Sequence, residues 1–297
     1  MKQIGATLLL TFRELWAMKI TQGVFVVTTV AWLLLSFALN LDVIEGSIAA
    51  LRIFGFESVP TEVMRDAVTG ELLRDAETGN VLREALSLDK FVLGINQFVF
   101  GASYLFGTLL GLFATMPLVS GFVEQGRIDL MLSKPVSRAK LLTGHIAGVW
   151  AIVAMLVTYL VVAIWLVISF KTRLWLPHYL LSIAIIVIMF GVVYSIVLTI
   201  GIWMRSTGVA LVTAYGCIFF SGILAGKDQI VPQLTDFTAA IFIGLYHILP
   251  NYIEVISIVA QLGSNESVNS WYPLVSSVLF GALVYGIGFF IFLRKDY

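Results

Sequence analysis

Charge is the first thing this sequence has little of. Only 12 % of its 297 residues are Asp, Glu, Lys or Arg, against about 25 % in a typical soluble domain. Hydrophobic residues make up 59 %, and the mean hydropathy is +0.98. A soluble fold of this length could not hide so much apolar side chain and still cover its surface with charge. Disorder is excluded by the same figures. The 18 basic and 18 acidic residues cancel, so there is no basic excess to bind nucleic acid. Cysteine is nearly absent. Cys217 alone rules out an intramolecular disulfide and a cysteine metal cluster, and its apolar surroundings read as a small buried hydrophobe.

Catalytic motifs are missing as well. There is no G-x-x-x-x-G-K-[ST]: the nearest string, GILAGKD at Gly222–Asp228, has Asp after Gly-Lys and the wrong spacing. H-E-x-x-H, G-x-S-x-G and G-x-G-x-x-G do not occur. His145, His178 and His247 lie in distant segments, so no shared metal site is expected. His145 reads as a packed side chain and His247 as part of an outer helix interface. No catalytic residue, metal ligand or cofactor site is assigned, and the chain is not expected to be an enzyme. Arg13, Glu14 and Lys19 interrupt the apolar stretch that a cleavable signal needs, so none is expected.

What the sequence has instead is long apolar runs. A hydrocarbon core of about 30 Å needs about 20 apolar residues in a helix. Spans are predicted at 23–41, 91–119, 141–170, 179–204, 208–226 and 272–293. The runs are continuous, not alternating, which favours helices over a membrane barrel. Before the first span, Ile4, Leu8, Phe12, Leu15, Trp16 and Ile20 recur at helical spacing. This predicts an amphipathic interfacial helix over 1–22, with Trp16 at headgroup depth. The expected fold is an all-α polytopic membrane protein, a single domain over 1–297. Six transmembrane helices are accompanied by the interfacial helix, a cytoplasmic segment over 120–140, outer helices over 227–271 and a small β-rich outer loop over 42–90.

Orientation follows from the loops. With the N-terminus inside, the inner segments hold ten basic residues against four acidic ones (Glu14, Glu124, Asp129 and Asp296). The opposite side holds the other eight basic and fourteen acidic residues. The excess of Lys and Arg near span ends predicts both termini inside, in the cytoplasmic membrane. On the outer side, Asp42–Lys90 contains a nine-residue repeat, DAVTGELLR at Asp66–Arg74 and DAETGNVLR at Asp75–Arg83. Thr-Gly at the centre of each unit predicts turns between short strands, with Asp and Arg columns facing across them. Two readings are open for this loop, a folded cap over the outer mouth or a docking surface for an extracytoplasmic partner. Farther on, Phe237–Leu249 and Tyr252–Leu262 are each too short to span, and Pro250 breaks the helix between them. They predict re-entrant or surface-lying helices.

The densest inner charge is in Ser120–Gly148. Ile128, Met131 and Leu132 form a helical stripe, Lys134-Pro135 ends that helix, and Ser137 is placed to cap a new one at Arg138. A short helix held at both ends by spans would move both spans when pushed. Its residues Glu124, Gly126, Ile128, Asp129, Leu130, Leu132, Ser133, Pro135, Val136, Ser137, Arg138, Leu141, Leu142 and Gly144 follow a pattern that resembles the permease subunits of type-2 ABC exporters. The branch it is most similar to includes the permease of nitrous-oxide-reductase copper-site maturation, with His145 standing where that family commonly has Lys. The resemblance implies a half-transporter. Two permease copies, identical or paralogous, would pair around a pathway and sit on a dimer of separate cytoplasmic ATPases, which carry the ATP and Mg. Glu124, Gly126, Arg127, Ile128, Asp129, Leu130, Leu132, Pro135 and Arg138 would form the ATPase-coupling surface. Membrane lipid surrounds the assembly, and no nucleic acid is implied. The alternative is an ATPase-driven mechanical device that acts on an outer partner without carrying cargo.

Polar groups at membrane depth are candidates for the pathway, because hydrocarbon does not satisfy them. They are Asn96, Gln97 and Tyr104 in the second span and Thr213, Tyr215 and Ser221 in the fifth. The competing reading is hydrogen bonding between helices. Gly101, Gly107 and Gly111 are read as points of close helix approach or bending.

Overall fold

The computed structural model of the chain describes residues 9, 12–14, 16–44, 47–53, 56–58, 61–63, 83–85, 88–123, 137–173, 175–263 and 267–295. The helices are α1 (Lys19–Ala38), α2 (Leu88–Val123), α3 (Arg138–Thr172), α4 (Leu181–Met204), α5 (Thr207–Ala225), α6 (Lys227–Ile230), α7 (Asp236–Ile248), α8 (Val255–Gly263) and α9 (Tyr272–Arg294). Among the described residues, five helical stretches are long and apolar enough to cross a bilayer: Leu93–Thr115 within α2, Arg138–Thr172, Pro177–Met204, Thr207–Ala225 and Tyr272–Arg294. α1 carries a shorter apolar stretch, Thr21–Leu34. It stops at Ala38, three residues before the predicted end of the first span, and a strand begins at Leu39. The physical reason is local. Leu39-Asn40-Leu41-Asp42-Val43 alternates apolar and polar residues, and a period of two favours a strand over a helix.

The stretch between α1 and α2 contributes short antiparallel strands. β1 (Leu39–Ile44) pairs with β2 (Ser47–Ile53), Leu39 opposite Ile53, with a register shift between Asp42 and Val43. β3 (Phe56–Ser58) adds to β2. β4 (Thr61–Val63) pairs with β5 (Arg83–Ala85), Thr61 opposite Ala85. The nine-residue repeat, apart from its last residue Arg83, lies between β4 and β5 and outside the described residues, as do its Thr-Gly turns and its Asp and Arg columns. The coupling helix predicted over Glu124–Leu132 and most of the interfacial helix before residue 12 also lie outside them. In the described part of that N-terminal stretch, Phe12 and Met18 pack against the core, Trp16 is exposed, and its ring meets Phe25 edge-on at 5.9 Å.

α4 is the axis of the bundle, packed by α9, α5, α2 and α3, and almost all of its middle turns are buried. Small residues let its neighbours approach. A Cβ on Gly281 of α9 would sit 3.1 Å from the Val192 backbone, and one on Gly288 would sit 2.6 Å from Thr199 Oγ1. A Cβ on Gly191 would overlap the Trp150 indole of α3. Such contacts are the usual source of helix association in lipid, where dispersion and close packing replace the hydrophobic effect. The outward faces are apolar, with Phe98, Phe219 and Phe237 about three-quarters exposed.

The helix ends are built by specific residues. Ser137 caps α3 as the sequence predicts, with its hydroxyl accepting from the Lys140 N–H at 3.4 Å. α3 and α4 both end on an arginine in the left-handed conformation, Arg173 at φ 60° and Arg205 at φ 53°, a position usually given to glycine. These long cations mark the two ends of the α3–α4 hairpin.

Candidate functional site

At one end of the bundle, Pro250–Glu254 interrupts the α7–α8 pair. Irregular backbone in a membrane protein must find partners within the protein, and here several groups of the break find them on neighbouring spans. The Asn251 N–H donates to Ser277 Oγ of α9 at 2.9 Å, and Asn251 Nδ2 donates to Ser276 Oγ at 3.2 Å. The Ile253 N–H donates to Ser221 Oγ of α5 at 2.9 Å. Tyr104 of α2 donates to the Tyr252 carbonyl at 2.8 Å, and Tyr252 returns a bond to the Tyr104 carbonyl at 3.1 Å. Their rings lie 4.6 Å apart. Asn251, Tyr252, Tyr104, Ser221 and Ser277 are all buried. Three spans thus hold one break. α8 beyond it inserts against α2 and α4, whereas α7 before it leaves Phe237, Ile241 and Ile248 exposed.

This node locates two of the predicted pathway residues. Tyr104 and Ser221 brace the broken helix. Tyr215, half-buried, donates to the Leu109 carbonyl at 3.2 Å and ties α5 to α2. Thr213 returns its hydroxyl to Val209 of its own helix at 2.9 Å. Gln97 is exposed on α2, and Asn96 lies in the same helical turn with its side chain outside the described set. The glycines divide too. Gly101 faces Ile256 of α8, and Gly111 faces Phe190 of α4. Gly107 meets nothing within 4 Å, so it serves no close approach.

A latch adjoins the node. Tyr246 donates to Glu254 Oε2 at 2.7 Å. Lys227 Nζ lies 3.9 Å from the other carboxylate oxygen and 3.8 Å from the Tyr246 ring centre. His247 Nδ1 pairs with the Tyr272 hydroxyl of α9. Burial, then the bond to Glu254 and that carboxylate's charge, push the Tyr246 phenol well above its usual range, so it stays a donor. His145 is a packed side chain, 4 % exposed, with Nε2 3.2 Å from the Tyr194 hydroxyl. Cys217 is half-buried and packs against the core.

At the opposite end of the bundle a clasp joins three helices. Arg138, the first residue of α3, donates through Nη1 to the Lys295 carbonyl at 2.7 Å, just past α9. Lys295 Nζ in turn donates to the Ile202 and Trp203 carbonyls at 2.6 and 2.9 Å, the open end of α4. A cation there complements the helix dipole. Desolvation and then the nearby Arg205 charge hold the Lys295 ammonium below its ordinary pKa. Of the predicted coupling surface, Arg138 is the member placed in this clasp. Glu124, Gly126, Arg127, Ile128, Asp129, Leu130, Leu132 and Pro135 lie outside the described residues.

The charge cluster at Arg138 and Lys295 was the only trace of this clasp in the sequence, and nothing local says that residues 157 positions apart in the chain meet. The serines at 276 and 277 left a weaker signal, two hydroxyls one turn into an otherwise apolar span.

Residues 12–297 match the family described as ABC-2 family transporter protein. No curated protein and no solved structure matches the chain.

Proposed function

The chain belongs to the ABC-2 family of transporter proteins, and from that premise we propose that it is the membrane half of an exporter driven by separate cytoplasmic ATPases. Members of this family are multi-pass membrane subunits that work with an ATP-binding subunit. In our reading α1 is the sixth span, and both termini lie in the cytoplasm of a cell whose inner membrane holds the protein. Two copies, or this chain and a paralogue, pair around the pathway. The segment between α2 and α3 is the coupling helix, as in the branch of the nitrous-oxide-reductase maturation permease that its sequence resembles.

The observation that carries this reading is the clasp. Arg138, the last member of the predicted coupling surface, holds the end of α9, and Lys295 there holds the end of α4. A push on the segment is therefore delivered to α2 and α3 by the chain itself and to α9 and α4 by hydrogen bonds. At the far end, the Tyr104, Ser221 and Ser277 braces tie α2, α5 and α9 to the broken helix. A tilt of these spans would reach the outer mouth through them. ATP binding shifts the bundle only if one state is preferred when the ATPases close. In this reading cargo contacts fall to Gln97, Thr213 and Tyr215 and to the turn of Asn96. Tyr104 and Ser221 act as braces of the gate.

The test is co-purification and turnover. Arg127→Glu or Asp129→Lys should leave the spans inserted but reduce ATPase recovery with the permease about tenfold or more, the scale of a lost charge-assisted contact. Arg138→Ala should retain the ATPase and lower cargo efflux per ATP hydrolysed. Full recovery and full coupling in all three variants would sink the proposal. Normal ATPase turnover without efflux of any cargo in the intact protein would favour the mechanical device.

A further inference from the structure

A cleft of about 440 Å³ opens between α1, α2 and α3. The walls that α1 and α2 turn to it carry small residues, Val24, Thr28 and Ala31 on α1 and Ser103, Gly107 and Ala114 on α2. At about 100° per residue, each set falls within about 60° of its helix surface. Facing stripes of small residues bring helices into close contact in lipid, where dispersion drives association. Here the two stripes are joined at one end, where Val24, Ala114 and Leu156 of α3 form a small buried cluster. They stand apart farther along, where a Cβ on Gly107 would meet no atom within 4 Å. The pair is zipped at one end and open along the rest.

The way α1 is held leaves it able to close the gap. Among the described residues, its side-chain hydrogen bonds to other helices all end on one hydroxyl, that of Tyr159 in α3. Thr29 Oγ1 lies 3.0 Å from it, and Trp32 Nε1 donates to it at 3.1 Å. The Tyr159 ring also stacks on Phe25, with centres 4.8 Å apart. Phe25, Thr29 and Trp32 sit about a quarter turn away from the cleft-facing stripe, so α1 rests on Tyr159 with that stripe turned aside. Its outward face, with Val26, Val30 and Leu34, is exposed, and a swing gives up no packing there. The chain bends at Met18, just before α1. One turn on, Thr21 is 1 % exposed and its hydroxyl has no hydrogen-bond partner among the described residues, whereas Thr28 and Thr29 return theirs to the Phe25 carbonyl at 2.8 Å. Burying a hydroxyl without a partner is costly, so a shift at the base of α1 that brings it to a carbonyl is favoured.

We propose that α1 is a swinging helix that leans across α3 with Tyr159 as its pivot and closes its Val24–Ala31 stripe on the Ser103–Ala114 stripe of α2, from the Val24 end along, so that the cleft disappears. The part that moves is α1. α2 is fixed by Tyr104 to the broken helix and by Tyr215 to α5. In the open arrangement Gly107 serves no close approach, and closure gives it one, to α1. The inference does not depend on the transport reading, only on the protein being embedded in a bilayer.

The test is disulfide trapping of the full-length protein in membranes, in a Cys217→Ser background that removes the native thiol. Ala31→Cys and Gly107→Cys are introduced together and oxidised with copper phenanthroline, and linked peptides of α1 and α2 are read by mass spectrometry. A disulfide brings its two Cβ atoms to about 3.8 Å, closer than any atom lies to a Cβ at 107 in the open arrangement. Linking therefore reports closure. Leu33→Cys with Gly107→Cys is the control, because residue 33 lies on the opposite side of α1. The Ala31 pair should link within one chain about tenfold faster than the control or more, the advantage of reactants brought together in the right geometry. Tyr159→Ala removes the pivot and should erase most of that difference. Equal rates for the two pairs overturn the proposal. So does a disulfide that joins two chains, which would assign the face to a second copy. A preference for the Ala31 pair that survives Tyr159→Ala unchanged overturns the pivot.

Discussion

Gly191 is where three helices meet through single atoms. Trp150 Nε1 donates to the Tyr285 hydroxyl at 3.1 Å, and that hydroxyl donates to the Gly191 carbonyl at 2.9 Å. The indole lies where a Cβ of residue 191 would be. Gly191→Ala should therefore cost about 1–3 kcal/mol, the range for overpacking a filled core, read as a lower unfolding temperature in detergent. The Trp150→Phe and Tyr285→Phe pair in a double-mutant cycle should show a coupling of only about 0.6 kcal/mol and no more than about 1.7, the scale found for hydrogen bonds between membrane helices. A neutral Gly191→Ala would mean that the indole moves aside at no cost. Overlap on this scale is steric and local, and ordinary hydropathy reading misses it, because Trp150 and Gly191 each look at home in an apolar run.

The broken outer helix shows how the same hydroxyl can serve opposite ends. Read from sequence, Tyr104 and Ser221 were polar groups without visible partners at membrane depth, so cargo contact and helix bracing were both open. Their partners are backbone groups of 252 and 253, and only the folded chain brings those near. The spans themselves were legible, because a run of about 20 apolar residues has few other places to go. Their bounds were less so at Leu39, where alternation overrides apolarity. Gly101, Gly107 and Gly111 lie along one helix at steps of six and four, yet Gly101 and Gly111 meet neighbouring helices and Gly107 meets nothing within 4 Å. Spacing alone could not separate them, because the residues that decide the matter, Ile256 of α8 and Phe190 of α4, come from distant sequence. Ser221→Ala leaves the Ile253 N–H unpaired, and Tyr104→Phe removes the reciprocal bond. Each should cost about 1–3 kcal/mol, the price of a buried unsatisfied group, most of it confined to 251–263. Hydrogen exchange in that stretch should speed about tenfold while α4 stays protected. Uniform acceleration through the bundle would show that the break is not a separable unit.

For the molecule as a whole, neutrality is a cancellation between two faces. In the predicted topology the inner segments hold ten basic and four acidic residues, and the outer ones eight and fourteen. The clasp of Arg138 and Lys295 sits at the basic end, where an ATPase would press. The repeat-bearing stretch hangs from the acidic end by β4 and β5. Removing one unit, Asp75–Arg83, which leaves Arg74 directly before Glu84, should leave membrane insertion and ATPase turnover at wild-type levels, measured on the purified complex. Loss of either would tie the repeat to the bundle. Because Val63 and Arg83 are opposite each other in the β4–β5 pair, the stretch between them begins and ends at one place. Halving or doubling such a closed excursion changes its closure cost by only about 0.6 kcal/mol and displaces no helix. The outer loop is thereby free to gain and lose nine-residue units as a cassette, so its length can diverge between lineages while the machinery beneath it stays fixed.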